Sequence, residues 1–249
     1  MIKVVYHPLF ETHYPTAQVE SPERVSVIKR ELEAFFPFLE APEAKEEDLL
    51  LVHSPQLVAK VKEIPHLYQV ALRAVGGAIL ASRIALGGEK AFGLIRPPGH
   101  HARREFHWGF CFFNNVAIAV KKLLEEKLIK SAMILDIDLH YGDGTADIFS
   151  SSEEVRVVNI QEENPRDFIR ETEKALTNFK EEILAISAGF DRYKLDWGRT
   201  LDMEDYYQLG KLIKEAVGNV PCFAVLEGGY YLPHLGKVVR RFLEGLSDP

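Results

Sequence analysis

MILDIDLHYGDGT, residues 133–145, begins as an apolar run that reads as a buried strand and then admits Asp136, Asp138 and His140. Alternation along a strand puts these three polar groups on one face and Leu135, Ile137 and Leu139 on the other. An unpaired carboxylate in a core is costly. The polar face is therefore expected to meet a metal ion, cationic partners or a dense hydrogen-bond network. With Asp191 from the later run SAGFD, Asp138 and His140 would offer a metal two carboxylate oxygens and one imidazole nitrogen. That set leaves positions open for water and substrate, as catalytic metal sites do. Without a thiolate it suits zinc and also accepts iron(II), cobalt(II) or manganese(II).

Around this stretch, short β-rich runs alternate with helix-length amphipathic segments, the pattern of a parallel sheet with crossover helices. The expected strands are IKVVY, KAFGLIR, SAMILDID, VRVVNI, EILAISA and CFAVLE, with helices over 22–36, 55–63, 67–86, 114–127, 166–179, 203–217 and 234–246. Ser21 before Pro22 and Ser54 before Pro55 read as N-caps with proline at the first helical position. No linker or repeat interrupts the pattern, so residues 1–249 are expected to form a single domain, an α/β fold with one doubly wound parallel β-sheet flanked by helices. Four polar, glycine-rich runs, RPPGHHA, DLHYGDG, GFD and EGGYY, each follow a strand. Ligands of open α/β sheets bind beyond the carboxyl ends of the strands, so these loops are expected to converge.

The 249 residues are 47% hydrophobic and 27% charged, which allows a sizeable core. Lys and Arg number 30 against 37 Asp and Glu, a formal charge of -7 with no basic run, so an electrostatic footprint for nucleic acid is absent. Two cysteines, Cys111 and Cys222, and an opening MIKVVYHP without a charged-then-apolar leader point to a cytoplasmic protein. The apolar stretch YQVALRAVGGAILASRIAL carries Arg73 and Arg83 and reads as core helix rather than membrane span.

His100 and His101 follow the rigid turn RPPG, and two adjacent imidazoles are a poor choice for packing alone. Asp136 and Asp143 are the candidate partners, because a carboxylate on one ring nitrogen fixes the tautomer that frees the other as a base. Tyr230, after Gly228 and Gly229, is a candidate donor to a developing oxyanion, with Tyr231 competing for that place. In WGFCFFNN, Gly109 and Phe110 are candidates for a pocket wall, while Phe112 and Phe113 fit the core and Cys111 reads as a small buried hydrophobe. His7, His13, His53, His66, His107 and His234 have no such company and read as structural or solvated.

The runs RPPGHHA, GFCFFNNVAIA, ILDIDLHYGDGT, SAGFD and EGGY, in this order, resemble the histone deacetylase family, including its acetylpolyamine amidohydrolase and acetoin-utilisation relatives. VYHP, SPERVSVI and LLLVHSPQLV extend the resemblance toward the amino terminus, so that it covers roughly residues 1–240. It implies an arginase/deacetylase-like fold and zinc bound by Asp138, His140 and Asp191. His100 and His101 become the tandem histidines, oriented by Asp136 and Asp143 respectively, with Tyr230 as catalytic tyrosine. Gly109 and Phe110 would line the acyl-lysine tunnel. Asn159 and Ile160 fall where the family builds a potassium site with the backbone of the DIDLH strand, although Asn159 replaces a usual hydroxyl residue.

The implied reaction is hydrolysis of an acyl-amine, either acetyl-lysine in a peptide or an acetylpolyamine, by metal-activated water. His101 is the preferred general base and acid, and His100 its electrostatic support. Departures from the family concern the substrate. The long loop after VVNI is missing, no substrate-gripping aspartate can be placed near Glu63 and His66, and Tyr141 stands where many members have His. A trimmed, more open pocket is expected. Two other readings remain: an arginase-like binuclear manganese ureohydrolase, and a non-catalytic acyl-ligand binding module that keeps the metal.

Overall fold

The computed structural model describes residues 2–247. Its centre is one seven-stranded sheet, in the spatial order β2-β1-β3-β7-β6-β4-β5, with every neighbouring pair parallel. The strands are β1 (Ile2–Tyr6), β2 (Phe38–Glu40), β3 (Lys90–Gly93), β4 (Ala132–Asp136), β5 (Val155–Asn159), β6 (Leu184–Ala188) and β7 (Cys222–Leu226). Parallel strands need crossovers, and helices supply them on both faces. In consequence β4, β6 and β7 are buried along their whole length, and their sequences AMILD, LAISA and CFAVL are near-continuously apolar.

The helices are α1 (Glu23–Leu32), α2 (Glu46–Leu49), α3 (Pro55–Lys62), α4 (Leu67–Leu86), α5 (Asn115–Glu125), α6 (Asp143–Ile148), α7 (Pro165–Thr177), α8 (Met203–Val217) and α9 (Leu232–Ser247). α1, α9, α8 and α7 pack in series as one layer, and α4 with α5 anchors the other. By length and composition the segment Tyr68–Leu86 of α4 is apolar enough to cross a membrane. It packs instead against β1, β3, β7 and α5, with Val70, Ala71, Ala74, Val75 and Ala78 buried.

Four local expectations change. β2 is not among the expected strands, because FLE is a short, partly exposed edge strand with little apolar signal. The helix expected over 22–36 ends at Leu32; residues 33–36 form turns, and Pro37, with no N–H to give the Glu33 carbonyl, cannot extend the ladder. Ser54 caps α3 by accepting from Leu57 N, whereas α1 starts after Pro22 with no side-chain cap, so Ser21 does not play that part. The strand reading of 133–145 is also too long. β4 stops at Asp136, and the shared polar face expected for Asp136, Asp138 and His140 does not exist as a strand face.

Candidate active site

What replaces that face is a pair of turns made by the aspartates themselves. Asp136 Oδ1 accepts the backbone N–H of Asp138 at 3.0 Å, and Asp138 Oδ1 accepts that of His140 at 2.9 Å. A short carboxylate that captures the N–H two residues on competes with the sheet ladder, so the strand ends and the chain coils. The outer oxygens are thereby freed to point elsewhere: Asp136 Oδ2 to His100, and Asp138 Oδ2 to the backbone N–H of Gly228 at 2.7 Å. A Cβ on Gly228 would stand 2.6 Å from carboxylate oxygens of both Asp138 and Asp191, so only glycine lets the β7 loop come this close.

Asp138, His140 and Asp191 place one donor atom each within 4.8 Å of one another. His140 Nδ1 lies 3.2 Å from Asp138 Oδ1 and 3.1 Å from Asp191 Oδ2. The second approach lacks hydrogen-bond alignment, and Asp191 Oδ2 is buried with no partner. An orphaned buried oxygen between two further donors fits a divalent cation. The electrostatics agree. Burial, then the charge of Asp138, lifts the Asp191 pKa to about 6, while the close carboxylates of Asp138 and Asp191 lift His140 to about 10. The two carboxylates recruit a proton onto His140, which a metal would displace.

The tandem histidines have the expected partners. His100 Nδ1 meets Asp136 Oδ2 at 3.0 Å, and His101 Nδ1 meets Asp143 Oδ1 at 2.7 Å. Their environments differ. Burial alone would depress His100, but Asp136, Asp138 and Glu227 outweigh it and hold its pKa well above the ordinary value. Burial, reinforced by the neighbouring charge of His100, brings His101 down to about 4. Asp143 is steadied in turn by Arg103 Nε and Nη2 at 2.9 and 2.6 Å and by Trp108 Nε1, whose indole lies 4.0 Å from the His101 ring.

A cavity of about 150 Å³ opens beside these groups, lined by His100, His101, Gly109, Phe110, His140 and Tyr230 among others. Gly109 adopts φ +62 against His101, a conformation and contact that only glycine takes without strain. The Tyr230 ring stacks on Trp197 at 4.2 Å and meets Phe110 edge-on at 5.8 Å, and Arg24 lies 4.6 Å from its centroid. Burial, only partly offset by Arg24, raises the phenol well above its usual pKa, so it keeps its proton. Tyr231 turns away to pack with Tyr193 and His234, outside the cavity lining that Tyr230 joins.

Several supporting residues gave no signal in the sequence. Asp196 accepts the backbone N–H groups of Tyr230 and Tyr231 at 2.6 and 2.7 Å and carries Trp197 beside it. Glu227 accepts the N–H groups of Gly99 and His100 at 2.7 and 3.2 Å. Trp197 in a GFD loop could have been suspected as a rim aromatic; the carboxylates look like any solvated ones. Glu63 and His66 stay outside the cavity lining, in the short α3–α4 connection.

His53, read as structural, proves to be a clamp beneath the site. Its Nδ1 meets Arg103 O at 2.8 Å and its Nε2 accepts Asn114 N at 2.9 Å, at the start of α5. Neutral imidazole satisfies both contacts, and burial lowers its pKa to about 4 from an unfolded value of 6.5. The unfolded chain thus takes up this proton first as pH falls, and the His53 contribution, complete above pH 6.5, is lost between there and pH 4. The full loss is on the order of 3 kcal/mol. Urea unfolding from pH 7 to pH 4 is expected to show a steeper decline for the native protein than for His53→Gln; parallel curves would refute the clamp.

The histone deacetylase domain profile matches residues 18–172 and 162–246. A probable deacetylase of Methanothermobacter thermautotrophicus is 29% identical, over 98% of this chain and 90% of the relative. The acetylpolyamine amidohydrolase of Mycoplana ramosa is 31% identical over 74% of this chain and 64% of its own length. The human polyamine deacetylase HDAC10 is 28% identical over 94% of this chain, which spans only 46% of that protein. In three dimensions the crystal structure of the HDA15 HD domain superposes with a TM-score of 0.89 at 21% identity, over 98% of this chain and 89% of that one, a likeness of fold. Motifs, topology and profile agree, and the chain belongs to the histone deacetylase family.

Proposed function

We propose that this protein is a zinc-dependent deacetylase, an amidohydrolase that removes an acetyl or related acyl group from an amine such as acetyl-lysine or an acetylpolyamine. The observation that carries the reading is the convergence, on one small cavity, of three metal donors, two differently tuned imidazoles and a protonated phenol. Two of the relatives are named for acetylated polyamines, which favours small amine substrates. The pocket is open where longer family members build walls. The α3–α4 connection spans residues 63–66 and the β5–α7 connection 160–164, leaving Trp108 and Trp197 half-exposed at the rim.

Asp138, His140 and Asp191 would hold the zinc, which when bound polarises the acyl carbonyl and acidifies water. The chain's own residues do the rest. His101, neutral at working pH and with Nδ1 committed to Asp143, offers Nε2 to take the proton from the attacking water. His100, whose pKa the surrounding carboxylates hold above the ordinary value, supports developing negative charge without accepting a proton. Tyr230 donates its phenolic hydrogen to the tetrahedral oxyanion. His101 then returns its proton to the departing amine. Burial keeps Cys111 a thiol, and no covalent acyl-enzyme is required.

The test is metal quantitation joined to a panel of acetyl-lysine peptides and acetylpolyamines. About one zinc per chain and turnover of at least one panel member are expected. A fully loaded but inert protein would favour the binding-module reading. About two metals per chain would favour the binuclear ureohydrolase. Among the described residues the other donor cluster, His100, Cys111 and Glu227, shares no ligand with the first, as a bridged pair would need.

A further inference from the structure

Arg192 immediately follows the metal-site residue Asp191, yet its guanidinium turns back beneath the loop and is 1% exposed. Its partners are backbone carbonyls rather than a carboxylate. Nε donates to Asp138 O at 3.1 Å, Nη2 to Ile160 O at 2.8 Å and Leu139 O at 3.4 Å, and Nη1 to Glu162 O at 2.9 Å. The Phe168 ring closes the nest 4.8 Å from Cζ. Carbonyl oxygens converging in a buried space repel one another unless a cation lies among them, and a guanidinium is permanently charged and weakly hydrated.

The family resemblance implies a potassium ion held by Asn159, Ile160 and the backbone of the DIDLH strand. The residues present do not fit one. Ile160 O and Asp138 O already accept from Arg192, and Asn159 Oδ1 is committed to the backbone N–H of Gly142 at 2.7 Å. We propose that Arg192 takes the place of that monovalent cation, an internal positive charge that joins the Asp138 and Asp191 loops to the end of β5. The metal-binding loop is then ordered without potassium, and Arg192 is a positioning residue that acts through the backbone carbonyls beside the ligands.

The test follows thermal unfolding and zinc affinity of the protein in KCl and in tetramethylammonium chloride at equal ionic strength, on the order of 100 mM. For the native chain, melting temperature and zinc affinity are expected to be the same in both salts, and turnover, where measurable, to agree within about twofold. A saturable, potassium-specific rise in melting temperature of about 2–4 °C or more in the native chain would overturn the proposal. Arg192→Ala is expected to melt lower and bind zinc at least about tenfold more weakly, with both restored in part by potassium but not by tetramethylammonium. A folded Arg192→Ala that responds alike to the two salts would also overturn it. If Arg192→Ala fails to fold, Arg192→Lys supplies the comparison, since one ammonium cannot span four carbonyls and the same partial potassium rescue is expected. Melting and zinc affinity are read without substrate, so these outcomes are independent of whether the chain proves to be a deacetylase.

Discussion

Asp138→Ala is expected to lose the metal and turnover together, with the rate falling by about 10³-fold or more. The carboxylate supplies one of three clustered donors, and the metal is expected to contribute several kcal/mol of transition-state stabilisation. It also accepts the N–H groups of His140 and Gly228, so alanine leaves two backbone donors unsatisfied at a cost of about 1–3 kcal/mol each. Asp138→Asn narrows the structural effect to one backbone donor, leaving only the Gly228 N–H without its acceptor. It keeps an oxygen for the His140 N–H and the same volume but is a poor metal ligand, so a folded, metal-poor and inactive protein is expected. Metal content after chelator dialysis, circular dichroism and kcat/KM together decide the matter. A variant that retains stoichiometric metal and native rate would remove Asp138 from the ligand set.

Tyr230→Phe is expected to do the opposite, keeping the metal and the fold while kcat falls by about 10²–10³-fold with little change in KM. The ring is held by its surroundings and not by its hydroxyl. Asp196 fixes the backbone, and Trp197 and Phe110 fix the ring. Deleting one oxygen should therefore leave melting temperature near native, and the lost rate then reports the hydrogen bond to the oxyanion. Tyr231→Phe, outside the cavity lining, serves as the control and is expected to behave as native. Native turnover by Tyr230→Phe would show that the oxyanion is stabilised elsewhere.

The candidate donors were legible because their local chemistry is unusual: an apolar strand followed at once by Asp-x-His, two adjacent histidines after a double proline, and a phenol after two glycines. Their supports were not. Arg24, Arg192, Asp196 and Glu227 are buried, but in sequence each looks like an ordinary charged residue at a surface. They can be buried because carbonyls and N–H groups from segments as far apart as residues 24 and 229 converge on them, as when Arg24 Nε meets Gly229 O at 2.6 Å. No window of sequence contains both ends of such a contact. The placing of Asp136 and Asp138 fell between these cases. The right residues were visible, but strand alternation was the wrong geometry for them, because aspartate side chains that bind the backbone two residues ahead end the strand they appear to continue.

The sequence by itself determined the alternation of strand and helix, the four glycine-rich loops and the groups able to hold a metal, move a proton or meet an oxyanion. These follow from side-chain periodicity and donor chemistry, both local properties. Only the tertiary structure decided that β3, β4, β6 and β7 stand side by side in the order β3-β7-β6-β4, bringing their loops to one edge. Strand order depends on which strands share backbone hydrogen bonds and which helices cover them. Those choices lie between segments far apart in the chain, where buried apolar strands of similar composition carry little mark of their neighbours.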